Sequence, residues 1–92
     1  KACVFLMIKY KGNEPFNVGT GKDISIKDLA ALIKDIIQYN GNIVCNKEKP
    51  DGTPRKLLNI NKILGLGWEP KIDLKTGILD TYKWYKENNQ FL

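Results

Sequence analysis

The chain has 92 residues, a length that suits one domain with a modest hydrophobic core. Its apolar share of 42% and charged share of 27% are ordinary for a globular protein and argue against disorder of the whole chain. The net charge of +5 comes from basic residues scattered along the sequence, without a run of like charges or a basic stripe. We therefore expect a solvated lysine surface with no nucleic-acid or membrane partner. The alternative is a free-standing basic domain that binds nucleic acid or another protein.

Two residue types limit the chemistry of the chain. Histidine, the commonest metal ligand and general base, is absent, so no metal site and no histidine-dependent triad is expected. The chain by itself is predicted not to be a catalyst. Cys3 and Cys45 belong to no CxxC pair, and isolated cysteines in apolar surroundings are usually reduced and buried. This cysteine usage favours a cytoplasmic location.

The first half of the chain predicts a helix, a strand and a second helix. The apolar run at residues 2–9 indicates the end of a buried helix whose beginning precedes Lys1. A short strand is predicted at residues 16–19, and Ser25 with Asp28 three residues later predicts a helix N-terminus. Apolar residues at helical spacing then continue through Ile26, Leu29, Ala30, Ile33, Ile36 and Ile37.

The second half predicts two strands followed by two helices. Gly41 is the expected left-handed cap of the preceding helix. The later elements are strands at residues 42–45 and 55–60, a short helix capped by Asn59 or Asn61 and ending at Gly67, and a last helix capped by Asp73. Residues 86–92 show too little periodicity to predict structure. The predicted order is α-β-α-β-β-α-α, a mixed α/β fold in one domain spanning residues 1–92.

The stretch GTGKD, residues 19–23, is a candidate phosphate loop because it lies between a predicted strand and a predicted helix. It lacks the pattern GxxxxGK[ST], and GxGxxG fails at Ile24, so glycines that permit a turn are the simpler explanation. Trp68 and Trp84 are predicted to pack in a core rather than to stack on a base. Gly77, inside the last helix, predicts close approach of a neighbouring backbone.

The stretch KPDGTPRKLL, residues 49–58, is the strongest candidate for ligand binding. Pro50 and Pro54 restrict φ, and Gly52 between them permits a positive φ, so the shape of the loop is largely set by its sequence. The carboxylate of Asp51 can accept hydrogen bonds from paired hydroxyls such as those of a ribose. Arg55 and Lys56 follow, and in an extended segment they point to opposite faces, so only one of them reaches a given ligand directly.

Arg55 is the only arginine among 15 basic residues. A position that requires the planar guanidinium, rather than charge alone, would explain this exception. A rigid surface turn, in which Arg55 bonds to backbone carbonyls or to Asp51, explains the same residues equally well. Residue chemistry alone leaves both interpretations open.

Three stretches of the chain resemble the GDP-L-fucose synthase family, and they occur in the same order. They are FNVGTGKDISIKDLAALI, KPDGTPRKLLNINKI and LGWEPKIDLKTGILDTYKWY. The motifs NVGTG and GWEP are similar across extended short-chain dehydrogenases/reductases. The stretch KPDGTPRKLL is the part that singles out the fucose synthases.

The resemblance implies that the chain is the C-terminal, substrate-binding lobe of a two-lobed enzyme. Such an enzyme epimerises GDP-4-keto-6-deoxy-D-mannose at C3 and C5 and reduces the product with NADPH to GDP-L-fucose. Its Rossmann lobe binds NADP(H), carries the catalytic residues and forms the homodimer, so this chain is expected to hold no cofactor and no catalytic residue.

The resemblance also assigns roles within the loop. Asp51 would bind the nucleoside end of a GDP-sugar, Lys56 would neutralise its diphosphate, and Arg55 is a weaker candidate that braces the loop. The alternative is the C-terminal lobe of another nucleotide-sugar epimerase or dehydratase.

Overall fold

The computed structural model describes residues 1–52 and 54–89. These residues contain four helices in the order α1 (Ala2–Lys9), α2 (Ile26–Ile37), α3 (Asn61–Leu66) and α4 (Leu74–Asn88). All four predicted helices are confirmed, and the last extends further than expected because residues 86–88 are helical. Within the described residues, no helix combines the length and hydropathy needed to cross a membrane.

The three predicted strands, at residues 16–19, 42–45 and 55–60, are absent from the described part of the chain. The predicted order α-β-α-β-β-α-α is therefore wrong, and the secondary structure described here is entirely helical. The β-branched and apolar content of these segments favours extended backbone. A strand, however, forms only where its N–H and C=O groups pair with a neighbouring strand. No described segment provides that pairing.

The two long helices begin at the capping residues that the sequence predicts. The Ser25 hydroxyl accepts a hydrogen bond from the Asp28 backbone N–H at 3.0 Å, which fixes the start of α2. The Asp73 carboxylate accepts from the Thr76 backbone N–H at 2.7 Å at the start of α4. Each bond satisfies a backbone N–H that has no partner within the helix, and each stabilises the folded protein by about 1 kcal/mol.

The short helix α3 is closed at both ends by local hydrogen bonds. The Asn59 side-chain oxygen accepts from the Asn61 backbone N–H at 2.9 Å, so of the two predicted capping residues Asn59 is the one that acts. At the other end Gly67 has φ +113°, and the N–H groups of Gly67 and Trp68 donate to the carbonyls of Leu64 and Ile63 at 3.1 and 3.2 Å. This is a Schellman motif, which needs a left-handed residue and so explains the glycine.

The predicted left-handed cap of α2 at Gly41 is wrong. Gln38 takes the left-handed position at φ +57°, with its N–H donating to the carbonyl of Asp35 at 3.3 Å. The next N–H, that of Tyr39, donates to the carbonyl of Lys34 at 3.0 Å. The helix therefore ends three residues earlier than the glycine suggests, because the same motif forms on a non-glycine residue.

The chain divides into two units, each of which combines two sequence segments. The first unit comprises Lys1–Asp23 and Arg55–Lys71, and the second comprises Ile24–Pro54 and Ile72–Leu92. In the second unit α2 packs against α4. In the first unit Ile60 is 6% exposed and Ile63 is completely buried, and these are the only buried apolar side chains in the described residues.

The chain exposes far more surface than its length requires. Its accessible surface is 8491 Å², whereas a compact monomer of this length exposes about 5,400 Å². Two separate compact bodies of the sizes of these units would expose about 6,500 Å². Even compared with two separate bodies, about 2,000 Å² more surface is exposed than compact folding would leave.

Several residues expected in a core belong to this exposed surface. Helix α1, predicted as a buried helix, exposes Val4, Met7 and Ile8. Cys3 and Cys45 are both free thiols, as predicted, but both are exposed rather than buried. Trp68 is partly buried, whereas Trp84 is 63% exposed and does not pack in a core within this chain.

The space around Gly77 in α4 shows whether a larger residue would fit there. A Cβ built there would lie 3.7 Å from the Ile72 Cγ2 atom, an ordinary contact with a side chain, so the predicted close approach of a backbone is wrong. Replacement Gly77→Ala should therefore stabilise the protein by about 0.5–1 kcal/mol through helix propensity alone. Urea unfolding of the protein carrying the substitution measures this change.

The matched control is Gly67→Ala, where the backbone at φ +113° strains any L side chain. We expect a loss of about 1–3 kcal/mol in the free energy of unfolding for this variant. A loss of stability in Gly77→Ala, or none in Gly67→Ala, would contradict the account.

Candidate functional site

The glycine-containing turn at residues 19–23 packs directly on the core of the first unit. Gly21 has φ +74°, and a Cβ built there would lie 3.1 Å from the Ile60 Cδ1 atom. A Cβ at Gly19 would lie 3.6 Å from Ile60 Cγ2. Both glycines are thus accounted for by the turn and by its packing on Ile60. The dinucleotide fingerprint is incomplete, and these glycines already have a structural role, so the turn does not fit a cofactor-binding loop.

Two polar contacts fasten the segment 55–60 to the segment that ends in this turn. The Arg55 guanidinium donates through Nε to the Asp23 carboxylate, 32 residues away in the sequence. Four residues beyond Arg55, the Asn59 carbonyl accepts a hydrogen bond from Asn17 Nδ2 at 3.3 Å. The segment 55–60 is therefore held near both ends, although it forms no strand.

A second ion pair in the same unit is built differently. Lys62 Nζ lies 3.2 Å from Glu14 Oε2 and 4.4 Å from the centre of the Phe16 ring. The Phe16 ring meets the Tyr10 ring edge-on, with 4.5 Å between their centres. This cluster ties the start of α3 to the segment after α1, and aromatic faces as well as a carboxylate stabilise the ammonium.

A groove of about 490 Å³ opens in the first unit beside the turn. Its lining combines polar residues with three leucines and an isoleucine: Thr20, Gly21, Lys22, Leu57, Leu58, Asn59, Ile60, Asn61 and Leu64. The leucine pair follows Lys56 immediately in sequence. The groove thus begins where the predicted ligand-binding loop ends, but none of the three predicted site residues lines it.

Each of the three predicted site residues is exposed. Asp51 belongs to the second unit, whereas Arg55 and Lys56 belong to the first. Among the described residues, neither Asp51 nor Lys56 makes a side-chain hydrogen bond or ion pair, so both charges are available to a ligand.

The backbone of this region differs from the prediction at Gly52, which is expected to permit a positive φ but does not adopt one. An Asx turn immediately precedes the loop: Asn46 Oδ1 accepts a hydrogen bond from the Glu48 backbone N–H at 3.0 Å.

Arg55 and Asp23 form an ion pair of which the sequence predicts only one member: a specific role is expected for Arg55, but Asp23 is not expected as its partner. The guanidinium was expected to contact backbone carbonyls, Asp51 or a ligand, and the structure places it on Asp23 instead. The rarity of arginine was the signal for a specific role at position 55. No local signal identified its partner, because Asp23 lies in the other segment of the first unit. In the described residues no group of three or more acidic or thiol side chains could hold a metal ion.

No family model matches the chain, but individual relatives do. A putative GDP-L-fucose synthase of Arabidopsis thaliana is 53% identical over 87 residues, which cover 95% of this chain and 26% of the relative. The GDP-L-fucose synthase of Escherichia coli is 47% identical over 72 residues, or 78% of this chain and 22% of that enzyme. The chain is similar to the C-terminal portion of GDP-L-fucose synthases. It spans about a quarter of the length of these relatives.

Solved structures extend the similarity to enzymes that reduce GDP-sugars. A GDP-6-OMe-4-keto-L-xylo-heptose reductase from Campylobacter jejuni matches 95% of the chain with a TM-score of 0.84 and 37% identity, over 28% of its own length. A GDP-mannoheptose C4 reductase from the same organism, solved with NADP bound, matches 91% of the chain at a TM-score of 0.76 and 37% identity, over 27% of its length.

The chain is also similar in sequence to a protein of another class. A putative UDP-glucose 4-epimerase of Methanocaldococcus jannaschii is 41% identical over 78 residues, or 85% of this chain and 26% of that protein.

The packing of the turn on Ile60 can be tested at Gly21. Replacement Gly21→Ala combines a positive φ with a Cβ only 3.1 Å from Ile60 Cδ1, so the free energy of unfolding should fall by about 1–3 kcal/mol. Gly52→Ala is the matched control, because no atom lies within 4 Å of a Cβ there and φ is not positive. Urea unfolding of both variants compares them, and an equal effect at the two positions would contradict the account.

Proposed function

We propose that the chain is the GDP-sugar-binding part of a GDP-L-fucose synthase. The whole enzyme would epimerise GDP-4-keto-6-deoxy-D-mannose at C3 and C5 and reduce it with NADPH to GDP-L-fucose. The observation that supports this most strongly is the 53% identity over 95% of the chain, together with the resemblance of the segment KPDGTPRKLL to this family. The GDP-sugar reductases among the structural neighbours support the same class of substrate.

The loop residues have the chemistry that a nucleoside diphosphate sugar requires. Asp51 is an exposed carboxylate suited to accept from the ribose hydroxyls, and Lys56 is an exposed ammonium suited to the diphosphate. Arg55 is the weaker candidate, because its Nε is already engaged by Asp23. Because a ligand cleft is often lined by more than one part of a protein, exposed loop residues of this kind suit a site that another part completes.

The excess exposed surface supports a role as one part of a larger protein. Apolar side chains on α1 and the indole of Trp84 are exposed, and patches of this kind mark surfaces that another structure covers. The relatives are about four times as long as the matched region. We propose that the remainder of such a polypeptide covers these surfaces and supplies the opposite wall of the substrate cleft.

The cofactor would be held outside this chain. Neither glycine fingerprint is complete in residues 19–23, and the glycines there pack on Ile60. NADP(H) would supply the hydride for reduction of the keto group, and residues beyond this chain would bind it. A homodimer formed by that cofactor-binding lobe, and a cytoplasmic location, complete the proposal.

A nucleotide-sugar epimerase with a different base preference is the second candidate. The similarity to a putative UDP-glucose 4-epimerase favours it. The two candidates differ in the nucleotide they recognise, so a comparison of GDP and UDP binding by the whole protein distinguishes them. Tighter binding of GDP is expected here, and tighter binding of UDP would support the epimerase.

The role of Lys56 gives the direct test. In the enzyme that contains this chain, Lys56→Gln should raise the KM for the GDP-sugar on the order of tenfold, because a charged contact to the diphosphate is lost. The KM for NADPH should stay constant, since the cofactor lies in another part of the protein. Steady-state kinetics with each substrate varied in turn measure both constants.

Lys71→Gln is the matched control, since it removes an exposed lysine of the same unit that lies outside the loop. This variant should leave both constants unchanged. The assignment of Lys56 would be wrong if the two variants behaved alike. Asp51→Asn tests the nucleoside end in the same assay and should also raise the KM for the GDP-sugar.

A further inference from the structure

The ion pair between Asp23 and Arg55 holds the segment on which Lys56 lies. Asp23 ends the glycine-containing turn, and that turn is fixed because Gly21 packs on Ile60, one of the two buried side chains. The Asp23 carboxylate is thus attached to the core of the first unit. Arg55, at the start of the segment 55–60, takes its position from that carboxylate.

The chemistry of the pair favours a fixed geometry over charge alone. Arginine holds a carboxylate through a planar group whose donors keep a set direction, whereas lysine provides a single flexible ammonium. Every other basic side chain in the sequence is lysine. Arg55 and Lys62 both join the two segments of the first unit, but Lys62 also contacts aromatic rings, whereas Arg55 pairs with a carboxylate, the contact that a planar guanidinium suits best.

Lys56 lies between two fixed points. Arg55 is tied to Asp23, and the Asn59 carbonyl is tied to Asn17 Nδ2 at 3.3 Å. Because Asp23 compensates the charge of Arg55, Lys56 is the uncompensated cation of this segment in the described residues. Its backbone is held while its ammonium is exposed, which lowers the ordering cost of binding an anion.

We infer that Asp23 is a positioning residue for substrate binding: through Arg55 it holds the segment that presents Lys56 to the diphosphate of the GDP-sugar. Asp23 itself touches no substrate. The inference rests on the proposed function, and it adds a residue to which neither the loop motif nor the sequence pattern assigned a role.

The first test is Asp23→Asn in the whole enzyme. The weaker tie should raise the KM for the GDP-sugar about threefold, the size of effect that an exposed ion pair can transmit. The kcat and the KM for NADPH should stay constant. The matched control is Glu14→Gln, which breaks the Lys62–Glu14 pair of the same unit and should change neither KM. Thermal unfolding of both variants shows whether they are equally folded.

A charge exchange separates positioning from direct binding. Asp23→Arg combined with Arg55→Asp restores the pair with its ends reversed, and the KM for the GDP-sugar should return to within about twofold of the parent value. If Arg55 itself binds the diphosphate, the exchange places a carboxylate there and the KM rises further. That result would overturn the inference.

The remaining outcomes separate this inference from the proposed function. If Lys56→Gln raises the KM for the GDP-sugar and Asp23→Asn behaves like Glu14→Gln, the positioning role is wrong and the proposed function stands. If the enzyme turns over GDP-sugars but Lys56→Gln has no effect, the positioning role is wrong because Lys56 has no contact to present. If the protein binds no GDP-sugar at all, both are wrong.

Discussion

The contact between the glycine-containing turn and Ile60 is the interaction on which the first unit depends. It brings the segment ending at Asp23 against the segment 55–60, and with Ile63 it accounts for the buried apolar side chains of the described residues. Gly21 permits this contact because its positive φ and missing Cβ allow Ile60 to approach. The polar contacts at Arg55 and Asn59 join the same two segments as this packing does.

A core this small explains why the chain presents so much surface. Two fully or nearly buried isoleucines contribute a few kcal/mol of hydrophobic stabilisation, which is little for a chain of this length. The apolar residues of α1 and the indole of Trp84 are instead available to another surface. In a longer protein of the kind to which the chain is similar, burying these residues would contribute stability.

The helices could be predicted because their signals are local. Ser25 and Asp73 cap the two long helices by bonds to residues three positions away, and Gly67 ends α3 through its own backbone conformation. The strands could not be predicted correctly, since composition favours extended backbone but a ladder requires a partner strand. The prediction that Cys3, Cys45 and Trp84 are buried is wrong for a related reason. An apolar side chain indicates that its surface should be covered, but the sequence around it does not indicate which segment covers it.

The candidate site shows the same division between local and long-range information. The loop 49–58 is predicted as a binding site from its prolines, its charges and its resemblance to a family, and its predicted site residues Asp51, Arg55 and Lys56 are exposed. The partner of Arg55 was not identified, because Asp23 lies 32 residues away and meets it only through the packing of the turn on Ile60. A pair that depends on tertiary packing leaves no pattern in the sequence around either member.

Hydrogen exchange of the whole protein tests most directly whether the loop forms part of a GDP-sugar site. Peptides covering residues 49–60 would be followed in the free protein, with GDP-sugar and with NADPH. Binding at the loop predicts slower exchange in these peptides with the GDP-sugar and no change there with NADPH, because a bound ligand restricts opening of the backbone it contacts. Unchanged exchange in residues 49–60 at saturating GDP-sugar, with protection confined to other peptides, would contradict it.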